Sequence, residues 1–385
     1  MIWFVFEAVS GGYLAVADDL ERAVHSHRWQ HGSTDLGPSA AVKAGQAAVE
    51  GGRATTILFP HQANGVYEIF VNDANANSHA VFVNPSTAAV NAVIDPDAGF
   101  RVFVLRLHAD FNASSVAGIQ TATIVGWLGI AWLLNLVLGF AVTRKRRRAL
   151  TGRRLIRRGR QRYAFHLDLH NAVGLLLVVP AIVAVLTGLV FEFPRESNSV
   201  IDALAPGSVS GDRVAVPTSA SAAGTRSSLD AVTGSLKASG LGKIESITVP
   251  TGNPLGVFTV AVDGGGYSPD EGLFSSRGKT VVAYVDQYTA QVIRVDRGEG
   301  ESVAAQIRDD WVGGLHFGTF ASWISRLLWV VLGLGTGVLA VTGLYMRSGR
   351  WPWQRGSSRR LPDPSLGESV AHDAEGDPIL EPPRA

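Results

Sequence analysis

Apolar residues collect in three long runs, 116–142, 172–193 and 323–346. Each has the roughly 20 predominantly apolar positions needed to cross about 30 Å of hydrocarbon. A fourth run, 1–17, is apolar but short and carries Glu7. It lacks the basic start and the small-residue cleavage site of a secretory signal. Between the runs the pattern changes from continuous to alternating. After a helix-like stretch "SAAVKAGQAAVEGG", the segments "TTILFPHQANGVYEIFVND" and "SHAVFVNPSTAAVNAVIDP" alternate as strands joined by Asn-, Gly- and Asp-rich turns. Further on, "SLDAVTGSLKASGLG" precedes "IESITVP", "LGVFTVAVDGGG" and "TVVAYVDQYTAQVIRVDRGEG" with the same rhythm. Each group predicts one helix against a small antiparallel sheet, and "VFVNPSTAAVNAV" aligns with "AYVDQYTAQVIRV" in its apolar positions. A Ser/Ala/Gly/Thr-rich linker at 208–228 has no periodicity.

The chain therefore reads as one unit written twice, 1–143 and 166–346: span, α+β domain, span. The expected fold is a membrane α-helical bundle of three full spans plus a shortened N-terminal one, carrying two extracytoplasmic α+β domains, with an internal two-fold repeat about the membrane normal. The segments are 1–17 (short span), 18–107 (first outside domain), 108–143 (span), 144–165 (loop), 166–193 (span), 194–315 (linker and second outside domain), 316–346 (span) and 347–385 (tail). Charge sets the orientation. The loop "RKRRRALTGRRLIRRGRQR" lies between two spans and belongs on the cytoplasmic side, so both domains face outward. The same rule makes a plain topological anchor, rather than anionic-lipid or nucleic-acid binding, the reading of that loop. The tail turns Pro-, Asp- and Glu-rich and is expected to be disordered.

Among the 385 residues 46% are hydrophobic and 17% charged, with a net charge of +1, which fits neither one soluble core nor a pure membrane bundle. There is no cysteine, so disulfides, iron–sulfur clusters, thiolate-ligated haem and cysteine nucleophiles are excluded, and any metal must take nitrogen or oxygen ligands. No hydrolase, protease, P-loop or dinucleotide motif is present.

Leu107-His108 and Leu315-His316 each precede a long apolar run that ends in basic residues. An imidazole at a membrane edge is costly to desolvate, and a matched pair suggests a shared ligand, best met by haem iron held by two axial histidines. The plainer reading, a helix cap or a bond to a carbonyl, suits a single such residue better than a repeated one. His170 sits at the inner end of its span as half of a second site, with His166 one turn earlier on the same face, unable to take the opposite axial position. Arg326 is placed to neutralise a haem propionate or to snorkel outward. Gly174, Gly188, Gly333, Gly335, Gly337 and Gly343 allow close approach of a helix or a flat macrocycle. Trp127, Trp311, Trp323 and Trp329 are expected in the interfacial belt or core. His25, His27 and His31 form a solvated cluster with weaker claims on copper, zinc or iron.

These features resemble the PepSY-associated transmembrane family of bacterial inner-membrane proteins. The resemblance rests on the two PepSY-like stretches, "LHADF" and "LHFGTF" before spans, "LHNAVGL" entering the third span, and the span-ending signatures "SGGYL", "TGLVF" and "TGLYM". It covers the chain nearly to Trp353. It implies haem b, electron transfer outward across the membrane to a ferric siderophore or other extracytoplasmic iron acceptor, and a quinol or cytoplasmic reductase as donor. The family pattern begins with a Leu-His-Arg-Trp-like stretch that is not seen here. His170 precedes Gly188 by 18 positions, and the same offset from Gly11 falls ahead of Met1, so the chain is expected to be N-terminally truncated. A second reading, from another class, is a haem-free membrane protein whose outer domains bind or sense a peptide, protease or envelope partner.

Overall fold

The computed structural model describes residues 2–60, 65–146, 162–205, 215–220, 224–263, 280–297 and 303–348. The basic loop over most of its length, nearly all of the tail and part of the 208–228 linker lie outside the described residues.

Eleven α-helices are described: α1 (Ile2–Leu14), α2 (Ala17–Val24), α3 (Pro38–Ala47), α4 (Phe100–Asp110), α5 (Thr121–Arg146), α6 (Arg162–Glu192), α7 (Pro194–Leu204), α8 (Leu229–Ala238), α9 (Val303–Gln306), α10 (Val312–His316) and α11 (Ser322–Ser348). A single π-helical turn, Ile307–Trp311, joins α9 to α10. Three helices contain segments long and apolar enough to span a membrane: Thr121–Val142, Ala164–Glu192 and Ser322–Ser348. The shorter α1, 13 residues, is apolar but covers only about 20 Å at 1.5 Å per residue. It packs on α11, α11 on α6, and α6 on α5, while α4 lies on α1 and α10 on α6. The α1–α11 crossing is a backbone contact. A Cβ at Gly333 would fall 2.5 Å from the Ala8 carbonyl oxygen, and one at Gly12 would fall 3.0 Å from that of Trp329. Small residues permit this approach, and dispersion at short range then substitutes for the hydrophobic effect that lipid cannot supply. Leu134 and Leu138 of α5, Leu176 of α6 and Leu334 of α11 stay exposed, as a lipid-facing surface requires.

Most of the strands form one antiparallel sheet. Its strands are β1 (Arg53–Leu58), β2 (Tyr67–Asn72), β3 (Ser78–Val83), β4 (Val90–Ile94), β7 (Ile244–Thr248), β8 (Val257–Asp263), β9 (Thr280–Asp286) and β10 (Val292–Asp296); β5 (Ser115–Val116) and β6 (Ile119–Gln120) form a separate hairpin. The order is β10-β9-β8-β7-β1-β2-β3-β4, two meanders joined edge to edge where Thr56, Ile57 and Leu58 pair with Thr248, Ile247 and Ser246. The two expected sheets are thus fused into one of eight strands. The fusion also removes two unpaired edges that would otherwise expose backbone donors and acceptors. Helices α3 and α8 cover one face, where Tyr67, Ile69, Val81, Leu236, Ile247, Phe258 and Val260 share a single core. They meet at their N-termini: Asp230 N–H donates to Ser39 Oγ at 3.2 Å and Ser39 N–H to Asp230 Oδ1 at 3.4 Å.

The aligned strand-turn-strand segments have the same backbone. Ala88 and Ala290 are both left-handed, at φ 55° and 56°. Asn84 N–H donates to the Ala89 carbonyl at 2.9 Å and Asp286 N–H to that of Gln291 at 2.8 Å. Asn84 Oδ1 accepts from Ser86 N–H, and Asp286 Oδ1 from Tyr288 N–H. Each turn opens on a register shift, between Phe82 and Val83 in the first and between Val292 and Arg294 in the second.

Two boundaries depart from expectation. The span expected from residue 116 begins at Thr121, because Ala117 (φ 51°) and Gly118 (φ 80°) close the β5–β6 hairpin with the two positive φ angles of a tight turn. The two histidines expected at the lips of spanning helices end separate short ones instead. Helix α4 stops beyond His108 at left-handed Phe111 (φ 57°), and α10 ends at His316 before Gly318 (φ 71°).

Candidate functional site

His108 and His316 come together although they are 208 positions apart: their ring centroids are 6.3 Å apart with planes at 50°. Between α1, α4, α5, α6 and α11 lies a cavity of about 380 Å³ that both rings line, with Trp3, Glu7, Gly129, Trp132, Gly188 and Trp329 among the walls.

Each ring is held by the helix beneath it through the same device. On α1, Ser10 Oγ donates to the Phe6 carbonyl at 2.8 Å and lies 2.8 Å from His108 Nδ1. On α6, Thr187 Oγ1 donates to the Val183 carbonyl at 2.7 Å and lies 3.1 Å from His316 Nδ1. A hydroxyl has one hydrogen, so a hydroxyl that donates to a carbonyl must accept from the imidazole. The Ala184 carbonyl, 3.2 Å from His316 Nδ1, can only accept and requires the same tautomer. Nδ1 of both rings therefore carries a hydrogen, and neither Nε2 has a hydrogen-bond partner among the described residues. The residue after each hydroxyl is a glycine. A Cβ at Gly11 would lie 3.2 Å from His108 Cε1, and one at Gly188 would lie 3.1 Å from His316 Cε1, so the rings rest on bare backbone. His316 is fixed further by Trp329, whose indole Nε1–H donates to its carbonyl at 2.6 Å.

His170 has the same arrangement at the other end of the bundle. Thr342 Oγ1 donates to the Val338 carbonyl at 2.8 Å and lies 2.9 Å from His170 Nδ1, and Gly343 would place a Cβ 3.8 Å from its Cε1. His170 lines a second cavity, about 270 Å³, with Phe4, Gly139 and Leu339, and no other histidine among the described residues lines it. His166 stacks on Tyr345 at 4.0 Å between centroids and has a buried Nδ1 without a hydrogen-bond partner.

Arg326 lies off the wall of the larger cavity and donates to Asp19 of α2 at 2.9 Å. Trp127, Trp311 and Trp323 are exposed, whereas Trp329 is core. Of the six singled-out glycines, Gly188 and Gly343 face histidines, Gly333 and Gly335 serve helix contacts, Gly174 touches Leu339, and Gly337 faces open space. His25 and His27 meet edge to face with centroids 6.0 Å apart, and His31 Nδ1 lies 3.0 Å from the Trp29 carbonyl. Among the described residues no three or more His, Cys, Asp or Glu converge as a metal site.

Four residues that contact these histidines were not singled out from the sequence: Ser10, Thr187, Thr342 and Glu7. The first three announce themselves in "SGGYL", "TGLVF" and "TGLYM", where a hydroxyl residue precedes a glycine near the end of an apolar run. Glu7 Oε2 lies 3.1 Å from His108 Nδ1, within a side chain only 11% exposed.

No curated protein matches the chain. Residues 1–350 match the PepSY-associated TM region, and the chain belongs to that family of membrane proteins.

Proposed function

We propose that this protein is a membrane haem b oxidoreductase that passes electrons outward across the bacterial cytoplasmic membrane, with His108 and His316 as the axial ligands of an outer haem and ferric iron in a siderophore as acceptor. One observation carries the reading: two imidazoles, each held at Nδ1 by a hydroxyl of the neighbouring helix, line one cavity with their ring centroids 6.3 Å apart. The residues present fit a haem: His108 and His316 would each offer it one imidazole nitrogen, from the two sides of the cavity they line. Haem supplies a one-electron carrier there. The chain's contribution is to fix the ring tautomers through Ser10 and Thr187, to clear the approach with Gly11 and Gly188, and to exclude water with Trp3, Trp132 and Trp329.

The identical turns at Ala88 and Ala290 and the matched hydroxyl–glycine pairs support an internal duplication, each half supplying one ligand. His170 is then half of an inner site, about 21 Å down α11 from Trp329, on the path from a quinol or cytoplasmic reductase. The Arg-rich loop at 144–162 supports an inside location for that end. Arg326, paired with Asp19, sits at the outer rim where a propionate would emerge.

The test is the spectrum of the full chain purified in detergent after expression with haem supplied. A Soret band and a sharp dithionite-reduced α band are expected, and each is lost in His108→Ala and His316→Ala. A wild-type protein without these bands refutes the reading and leaves a haem-free protein that binds a peptide, protease or envelope partner.

A further inference from the structure

The two cavities differ in what they offer a ligand. Among the described residues lining the smaller one, about 270 Å³, there is no Arg, Lys, Asp or Glu, whereas Glu7 and Glu192 line the larger. Its polar groups are His170, Asn135, Asn171 and Thr336, set among apolar side chains. Phe4 and Trp132 stack at 5.3 Å with planes 13° apart and give it a flat aromatic side. Two of the polar groups have no use in the fold. The carboxamides of Asn135 and Asn171 make no hydrogen bond among the described residues, although both stand inside spanning segments, Thr121–Val142 and Ala164–Glu192, where lipid offers no replacement partner. His170 Nδ1 gives its hydrogen to Thr342 Oγ1, whose own hydrogen goes to the Val338 carbonyl. In the neutral ring Nε2 is then an acceptor, and it too has no partner among the described residues.

We infer that this cavity binds the ring of a lipid-soluble quinol, one hydroxyl donating to His170 Nε2 and the carboxamides of Asn135 and Asn171 satisfying the remaining hydrogen-bonding capacity of the ring oxygens. An acceptor such as Nε2 calls for an O–H, and a carboxamide can both donate and accept. A flat ring with apolar faces and oxygen atoms at two edges suits walls that are apolar apart from a few polar groups. A phosphate-bearing or carboxylate ligand would find no counter-charge among the described lining residues, and a buried unpaired charge is costly. The same argument disfavours a second haem, whose propionates would lack a cation and whose iron would meet a single histidine. Trp132 lines both cavities, so a ring bound beside His170 contacts a side chain that also walls the site of His108 and His316. The inference commits the electron donor to the quinol class, and only that use of the cavity rests on the haem reading above. Binding itself does not.

The experiment is an anaerobic calorimetric titration of the full chain in detergent with decylubiquinol. Dithionite keeps the probe as the quinol and any haem reduced, so that binding alone is read, and haem content is measured in parallel. Saturable binding of one equivalent is expected. Asn135→Leu and His170→Phe each remove one hydrogen-bonding group and should weaken it about two- to tenfold, while Gly337→Ala, which lies off this cavity and faces open space, should leave it unchanged. Binding that does not saturate, or that is equally tight in Asn135→Leu, overturns the inference. If His170→Phe gives no folded protein, Asn135→Leu decides alone, since it replaces an unpaired polar group in a spanning helix by an apolar one. Two haems per chain also overturn it, because the second would occupy this cavity. A chain that binds the quinol but shows no haem bands upholds the site and refutes the haem reading, and haem bands without quinol binding refute the site alone.

Discussion

Replacing Gly188 by alanine adds one methyl group directly beneath His316. The new Cβ would meet Cε1 of the ring at 3.1 Å and Nδ1 at 3.7 Å. Carbon atoms settle at about 3.5–4.0 Å, so the ring must retreat by roughly half an ångström. It has little room, because Phe191 stands 5.2 Å and Phe317 5.6 Å from the ring centroid, and His108 closes the far side at 6.3 Å. Nor can the ring simply rotate away, since Thr187 and the Ala184 carbonyl hold Nδ1 to α6. Overpacking of this kind costs about 1–3 kcal/mol. A site that tolerates misplacement of only about 0.5 Å passes that cost to the ligand, which corresponds to roughly 5- to 150-fold weaker haem binding. The measurement is the rate at which purified variants surrender haem to excess apomyoglobin. Gly11→Ala, with its Cβ 3.2 Å from His108 Cε1, should behave like Gly188→Ala, whereas Gly337→Ala, which faces open space, should match the wild type. Wild-type haem retention in Gly188→Ala, or equal loss in Gly337→Ala, would refute the cradle.

Gly333→Ala forces a methyl group to 2.5 Å from the Ala8 carbonyl oxygen, so α1 must separate from α11. A loss of about 1–3 kcal/mol is expected, read as a lower unfolding midpoint of the detergent-solubilised protein, and an unchanged midpoint would contradict the crossing. Asp286 provides a pH test in the eight-stranded sheet. Burial works to raise its pKa, but amide hydrogens from Thr289, Tyr288 and Ala220 and the Thr289 hydroxyl outweigh it and hold the carboxyl below the usual aspartate range. A depressed folded pKa contributes stability that is complete above the unfolded value, about 3.9, and disappears as pH falls through the folded one. Asp286→Asn, which restores the residue type of its counterpart Asn84, should cost about 1 kcal/mol at neutral pH and flatten the loss of stability below pH 4. Circular dichroism melts at pH 7 and pH 3 measure both, and an acid response equal to wild type would count against the assignment.

The spans and strands were legible because their signals are local. A continuous apolar run of 20 or more residues has one stable solution in lipid, and alternation over five or six residues has one beside a core. The aligned turn segments were legible for the same reason, down to the alanines at positions 88 and 290. The fusion of the two sheets was not, because β1 and β7 alternate like the other strands and nothing local states which edges will meet. The carrier of each histidine was misassigned because a left-handed Phe111 leaves no mark in the hydrophobic pattern: residues 100–110 and 121–142 read as an approach and a span, not as two helices. Ser10, Thr187 and Thr342 were visible as repeated signatures, yet their role depends on which ring lies above them, a fact of packing over distances of 98 to 172 residues.

The sheet and the histidine pair are geometrically linked. Helix α4 follows β4 and the α9–α10 segment follows β10, and these strands are the opposite edges of the eight-stranded sheet. With strands about 4.8 Å apart, those edges are separated by about 34 Å. At 1.5 Å per residue, α4 covers about 16 Å and residues 303–316 about 21 Å. The rings these segments carry, His108 two residues before the end of α4 and His316 at the end of α10, lie 6.3 Å apart between centroids although the strands that precede them are opposite edges. Neither half could do this alone, because one meander supplies one edge and one arm. The pairing of Ile57 with Ile247 at the seam is therefore more than a way to satisfy two strand edges. It joins the two meanders into one body, from whose two edges the histidine-bearing segments follow in sequence.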